Sequence, residues 1–238
     1  QDACDVQAGQ NRKGSHEAGR TIWRQTRFQA CFQAETQALM HPNPLFRSED
    51  RAGMAALVDT IGFGMIFAQT PIGPRVVHTP LVMAGEGRVR FHISRANALA
   101  GHLEGASALA VINGPDGYIS PRWYADRDTV PTWDYMALEL EGPVRPLGAE
   151  ELEDFLHTLI ARSEARLDGA PWLAEETSAA NWTRLLRGIL GFEMAVKEWR
   201  PTYKLSQKNS VADRARIADG LIAAGNRALV EAMAAVPA

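Results

Sequence analysis

The sequence predicts an α+β protein: a small antiparallel β-barrel, closed or split, with a helical insertion and a C-terminal helix. Three observations lead there. Short apolar segments joined by tight turns recur between residues 61 and 144, the pattern of sequential antiparallel strands. A helical stretch at about 148–187 is followed by another strand-like run, so the chain returns to the sheet and the helices form an insertion. The stretch at about 211–235 is Ala-rich, with Ile217, Leu221, Ile222, Leu229 and Met233 spaced along a helix. Five or more strands with one brief helical interruption favour a barrel, because closure removes exposed sheet edges.

The elements follow in order. SEDRAGMAALVDT, from Ser48, has a capping Ser, acids in the first turn and apolar Met54, Leu57 and Val58, which predicts a short amphipathic helix. IGFGMIFAQ at Ile61 to Gln69, the turn TPIGP and RVVHTPLVM at Arg75 to Met83 read as a hairpin, and AGEG turns into a third strand at Arg88 to Ile93. A short helix is expected at Ala96 to Leu103, then strands at Ser107 to Asn113 and Asp134 to Val144. In the insertion, Leu152, Phe155, Leu156 and Leu159 follow a first turn of acids, and a second helix is expected at Ser178 to Arg187. Gly188 to Leu205 alternates as one more strand.

Composition sets the outer limits. The 238 residues carry 25 basic and 28 acidic side chains, a net charge of −3, so no overall electrostatic footprint for nucleic acid or an anionic surface exists. No run of 18 apolar residues occurs, so no membrane partner is expected, and without a signal-peptide pattern the cytoplasm is the expected compartment. Residues 1–39 are rich in Gln, Arg and Ala, lack an apolar period and hold both cysteines, Cys4 and Cys31; they are expected to be a dispensable appendage to a domain spanning 40–238. The body therefore has no thiol chemistry. Its five histidines, at 41, 78, 92, 102 and 157, form no HxH or HxxxH pair, so no metal site is expected. GxSxG, Walker A and dinucleotide fingerprints are absent.

Two features point to a ligand. Asn113 to Tyr135 holds three Pro, two Gly, three Tyr and two Trp; its Gly-Pro, Asp-Gly, Ser-Pro and Val-Pro steps predict an ordered loop that offers rings to a flat ligand or a partner subunit, or packs them on itself. FHISRAN at Phe91 to Asn97 sets Ser94, Arg95 and Asn97 where a strand gives way to the expected short helix. Hydroxyl, guanidinium and backbone amides there suit a phosphate, with Arg75 as a second cation; the alternative is a helix cap with a solvated arginine. A phosphate site beside flat rings suits flavin mononucleotide.

The chain resembles the PaiB-like FMN-binding negative transcriptional regulators, which have the FMN-binding split-barrel fold. The resemblance runs from about Met40 to Lys208 through MHPNPLF, VHTPLV at Val77 to Val82, FHISRAN, GPDGYISPRWY at Gly114 to Tyr124, VPTWDY at Val130 to Tyr135, GILGF at Gly188 to Phe192 and KLSQ at Lys204 to Gln207. It implies a homodimer with FMN at the subunit interface. Arg75, Ser94, Arg95 and Asn97 would hold the phosphate, His78 and Thr79 would lie under the ring, and Trp133 with Lys204 and Gln207 would reach the site from the same or the partner chain. The sequence departs from the family pattern at Asp116, where His is common, and at Ala98, where Pro is common. Three roles stay open: a regulator whose ligand controls association, with DNA a partner by resemblance only; a flavin-dependent oxidoreductase; and a haem-binding or haem-degrading relative using a lone His.

Overall fold

The computed structural model describes residue 41 and residues 43–236. The expected appendage at 1–39, with Cys4 and Cys31, lies outside the described residues. Helix α1 (Arg51–Ile61) is capped by Asp50, whose carboxylate accepts the Gly53 amide at 2.9 Å. Ser48, the expected cap, instead accepts the amide of Asp50 at 3.1 Å, one step outside the helix. Met54 and Val58 face the core, and Gly62, at φ 66, ends the helix in the left-handed conformation that a side chain would strain.

Seven strands follow: β1 (Phe63–Thr70), β2 (Gly73–Met83), β3 (Arg88–Ser94), β4 (Ser107–Ile119), β5 (Thr132–Pro146), β6 (Ile189–Ala195) and β7 (Glu198–Lys204). Their order is β4-β1-β2-β3-β6-β5-β7, every recorded pairing is antiparallel, and β4 also pairs with β5, which closes a ring. The ring is split beside β2, which pairs with β1 from Gly73 to Pro80 but with β3 only from Leu81 to Met83. The run expected to be one strand at 188–205 is β6 and β7. Their register against β5 slips by one residue between Met194 opposite Val144 and Glu198 opposite Glu141, so a bulge-like break divides an otherwise continuous path.

Ile66, Leu81, Phe91, Ile112, Leu138 and Met194 fill the barrel, as the alternation of each strand requires. A second cluster joins Ile119 and Leu205 to helices α4 (Val211–Ala223) and α5 (Arg227–Ala234) through Ile217, Leu221, Leu229 and Met233. The tail expected to be one helix thus breaks in two, at Gly225, with φ 81. Helices α2 (Ala149–Glu164) and α3 (Ala179–Leu186) form the insertion, and Phe155 of α2 is fully buried on the barrel wall.

Two further expectations are corrected. No helix forms at 96–103; the segment is a string of turns in which Ser94 Oγ accepts the Ala96 amide at 3.3 Å and Asn97 Oδ1 accepts the Leu99 amide at 2.9 Å, local bonds that compete with helical ones. Leu99 and Leu103 are buried as plugs in the barrel core.

The stretch 113–135 is not one loop either. β4 runs on to Ile119 through a register shift at Asn113 to Asp116, and β5 starts at Thr132, so the loop is only 120–131. Inside it, Trp123 and Tyr124 pack on the C-terminal helices, and the Ala125 amide donates to Asp213 at 3.0 Å. A Cβ at Gly220 would come within 2.3 Å of the Trp123 ring. Gly220→Ala should therefore lower unfolding free energy by about 1–3 kcal/mol, against the stabilisation of roughly 1 kcal/mol that Ala brings to an exposed helix. Urea unfolding checks this, and an unchanged midpoint would contradict the packing.

Candidate functional site

β2 alternates cleanly. Arg75, Val77 and Thr79 form one row, and the exposed Val76 and His78 with half-buried Pro80 form the other. The outer row continues across β1 and β4, with Val76 opposite Phe67, His78 opposite Met65, Pro80 opposite Phe63, and Phe67 and Met65 opposite Leu109 and Val111. His78 thus stands in an apolar outer face of the barrel, where Phe63 is 50% and Val76 43% exposed. Thr79 turns the other way, is buried and donates its hydroxyl to the His92 carbonyl. The two residues expected under one ring therefore lie on opposite faces of their strand.

The Thr79 bond keeps β2 beside β3 past the end of their ladder. The ladder itself ends at Leu81 opposite Phe91, so from Gly73 to Pro80 β2 pairs only with β1, and Ser94 at the end of β3 pairs with Ile189 of β6. Arg75 lies on the stretch of β2 that borders the split, and Ser94 and Asn97 stand at the end of β3 and in the turns after it. Arg75 is half-buried and donates to the Pro74 carbonyl at 2.8 Å. Arg95 ties the turns after β3 to the insertion: its amide donates to Gly188 at 2.8 Å, and its guanidinium to the carbonyls of Arg187 at 3.0 Å and Ile189 at 3.4 Å. It closes the carbonyl end of α3 and keeps Nη1 outside those bonds. Among the described residues no helix begins here to supply free amides.

Trp133, Lys204 and Gln207 gather around a residue that the sequence reading missed, Asp134. It is 1% exposed and accepts from Ser206 Oγ and, at 3.3 Å, from Lys204 Nζ. The same ammonium reaches Thr132 Oγ1 at 2.6 Å and the Trp133 carbonyl, while Gln207 Oε1 accepts the Leu205 amide at 2.7 Å and its Nε2 donates to the Tyr203 carbonyl. Ser206 turns the chain here at φ 58. KLSQ is thus a lock on the start of β5. The signal for it was an acid between two aromatics in an alternating strand. Outside the lock Trp133 stands 55% exposed, with Tyr118 edge-on at 6.3 Å.

The two groups are far apart in one chain. Val76, next to Arg75, aligns through Phe67 and Leu109 with Glu141, eight residues along β5 from Trp133. At the rise of a strand that is about 25 Å. Of the other histidines, His92 lies against Phe155 at 5.8 Å, its buried Nδ1 without a hydrogen-bond partner, and burial pushes its pKa down. No group of three His, Cys, Asp or Glu that could hold a metal occurs among the described residues. None of the helices there is long and apolar enough to cross a membrane.

A family model described as "Putative FMN-binding domain" matches residues 40–198, well over half of the chain. The chain belongs to this family. FMN is its cofactor, and the Arg, Ser and Asn donors at the split together with the apolar outer face have the chemistry that a phosphate and a flat ring require.

Among curated proteins it is similar to "Protease synthase and sporulation protein PAI 2" of Bacillus subtilis (strain 168), 34% identical over 113 residues, 48% of this chain and 54% of that protein. The chain spans about half the length of the curated relatives it matches. Among solved structures it resembles the FAD and Heme binding protein from Mycobacterium smegmatis, with TM-score 0.52, 19% identity and coverage of 76% of this chain and 80% of that one. It also resembles the flavocytochrome Anf3 from Azotobacter vinelandii, with TM-score 0.53, 18% identity and coverage of 76% and 79%. These two likenesses concern the fold, and they agree with the antiparallel split barrel described above.

The lock makes a pH prediction. Burial raises the Asp134 pKa above 3.8, opposed by the Ser206 hydrogen bond and the Lys204 charge. A carboxyl that holds its proton more tightly when folded contributes its full stability below its unfolded pKa and loses it as pH rises through the raised value. The stability difference between wild type and Asp134→Asn should therefore fall as pH rises from 3.8 upward. Urea unfolding of both proteins across pH 4–8 checks the direction, and a difference that grows with pH would contradict it.

Proposed function

We propose that this chain works as a homodimer that holds FMN where two copies meet. Arg75, Ser94, Arg95 and Asn97 hold the phosphate, His78 and the apolar rows around it face the ring with Thr79 behind, and Trp133 with the Lys204–Gln207 segment comes from the partner chain. The observation that carries this reading is the separation of about 25 Å between the two groups, estimated from strand rise, which is more than one flavin nucleotide reaches. A two-fold arrangement on the outer face would bring the Trp133 of one copy to the Arg75 of the other. Exposed Phe63, Val76 and Trp133 support it, since aromatic and aliphatic side chains dominate interface cores.

When bound, FMN supplies a redox-active ring; the chain binds, orients and covers it. We favour regulation as the role, with FMN occupancy setting how firmly the two copies associate and what they then bind. DNA is a partner by family resemblance. Residues 1–39 are proposed to be dispensable: a chain starting at Met40 should keep its melting temperature and FMN affinity.

Flavin titration tests the site. Arg75→Ala and Ser94→Ala should each weaken FMN by roughly ten- to a hundredfold, the worth of a charge-assisted phosphate contact. Light scattering after size exclusion tests the assembly: twice the mass of one chain is expected, and Val76→Asp and Trp133→Ala should weaken both dimer and FMN binding. Unchanged titrations would remove the phosphate assignment, and a monomer at micromolar concentration would remove the dimer. A preparation that takes haem in preference to FMN would put a haem protein in place of this reading.

A further inference from the structure

The β-bulge in β4 builds a site that FMN binding does not account for. Asn113 pairs with Ala137 and Asp116 with Tyr135, so three steps on β4 match two on β5. In a regular strand, residues three apart face opposite ways; the extra residue turns both Asn113 and Asp116 outward, and both are exposed. Beside them the chain forms a cleft of about 260 Å³ lined by Asn113, Gly114, Asp116, Trp133, Tyr135 and Met136. Gly114 lets β4 pass close to β5 at the bulge, because a Cβ there would meet Met136 Cβ at 2.9 Å.

The lining combines one carboxylate with aromatic surface. Trp133 is held edge-on by Tyr118 at 6.3 Å, so its ring is presented on a supported platform. Asp116 makes no side-chain hydrogen bond or ion pair among the described residues, and its carbonyl receives Asn226 Nδ2 at 2.8 Å, which fixes the backbone beneath it. The nearby cation, Lys204, is matched by Asp134 at 3.3 Å. The negative charge of Asp116 is thus left uncompensated next to two ring systems. A carboxylate beside aromatic faces favours a positive ligand over a neutral or negative one. The volume lies at the small end of ligand pockets, short of a whole nucleotide.

We infer that this cleft binds a small organic cation, an ammonium on an aromatic or alkyl body, with the charge against Asp116 and the body on Trp133 and Tyr135. The inference rests on the proposed FMN site in one respect: Trp133 belongs to both, so the cation would lie beside the flavin as its co-ligand. The full chain is titrated without flavin, by calorimetry and by NMR of the tryptophan indole N–H groups, with phenethylammonium and with neutral 2-phenylethanol. Phenethylammonium should bind about tenfold more tightly, the combined worth of an exposed charge pair and a cation–π contact. Asp116→Asn should abolish that preference while leaving FMN affinity unchanged, and Trp133→Ala should weaken both probes. Equal affinity for the two probes, a preference that survives Asp116→Asn, or indole shifts that disappear only when another tryptophan is replaced would overturn the inference. Loss of FMN binding with the cation preference intact would instead count against the flavin site alone.

Discussion

At Gly142 β5 passes so near the end of β6 that a Cβ would stand 2.0 Å from the Ala195 carbonyl oxygen. No side chain fits there. The approach is set by what β5 must do: one strand pairs along one edge with β4 and along the other with β7 and then β6. The one-residue slip between β6 and β7 falls beside Gly142, with Lys197 donating to the Glu141 carbonyl and Val196 to that of Gly87, both at 2.8 Å. Closure of the barrel, and with it the placement of everything on β5, depends on that crossing. Pairing of this kind satisfies backbone groups that an open edge would leave exposed.

From that strand the outer layers are tied down by charge. Glu193, 4% exposed, accepts from Arg90 at 2.8 Å and from Arg145 at 2.8 Å, and Arg145 also grips Glu151 in the first turn of α2. The Arg145 hydrogen bonds, with the Gly148 amide, hold the Glu151 carboxyl down to about 2. Removing one partner of a buried, hydrogen-bonded charge typically costs about 3–5 kcal/mol, so the network fixes where the insertion sits more than it adds net stability. Asp59 does the same from α1, receiving Arg162 and, at 3.1 Å, the Met83 amide. The insertion in turn presents Gly188 to Arg95, so the turns after β3 are positioned by elements well outside them.

Strand alternation and helix period were legible in the sequence because each reports burial on one face, and the hairpin, the first three strands and α2 follow from it. Proline and glycine were read too strongly. Gly114-Pro115 does not end β4, because a bulge absorbs the residue that cannot pair, and the ring-rich stretch then divides between two strands and a short loop. The segment after Ser94 has apolar residues at helical spacing, yet Ser94 and Asn97 take the amides that a helix would need. Within the candidate site, residue type alone marks Arg75, Ser94 and Asn97 as candidates for a phosphate. Asp134 shows in the sequence only as an acid between two aromatics, since its meaning comes from Ser206 and Lys204, some seventy residues away.

The proposed function is specific about place: FMN would lie against the split edge of β2 and the turn after β3, covered by the start of β5 from a second copy. Amide hydrogen exchange with and without FMN tests it most directly, because it reads location without changing a residue. The account predicts slowed exchange at residues 76–79, 95–97 and 132–135 together. Slowing confined to the helical insertion or the C-terminal helices, with those three segments unchanged, would contradict it.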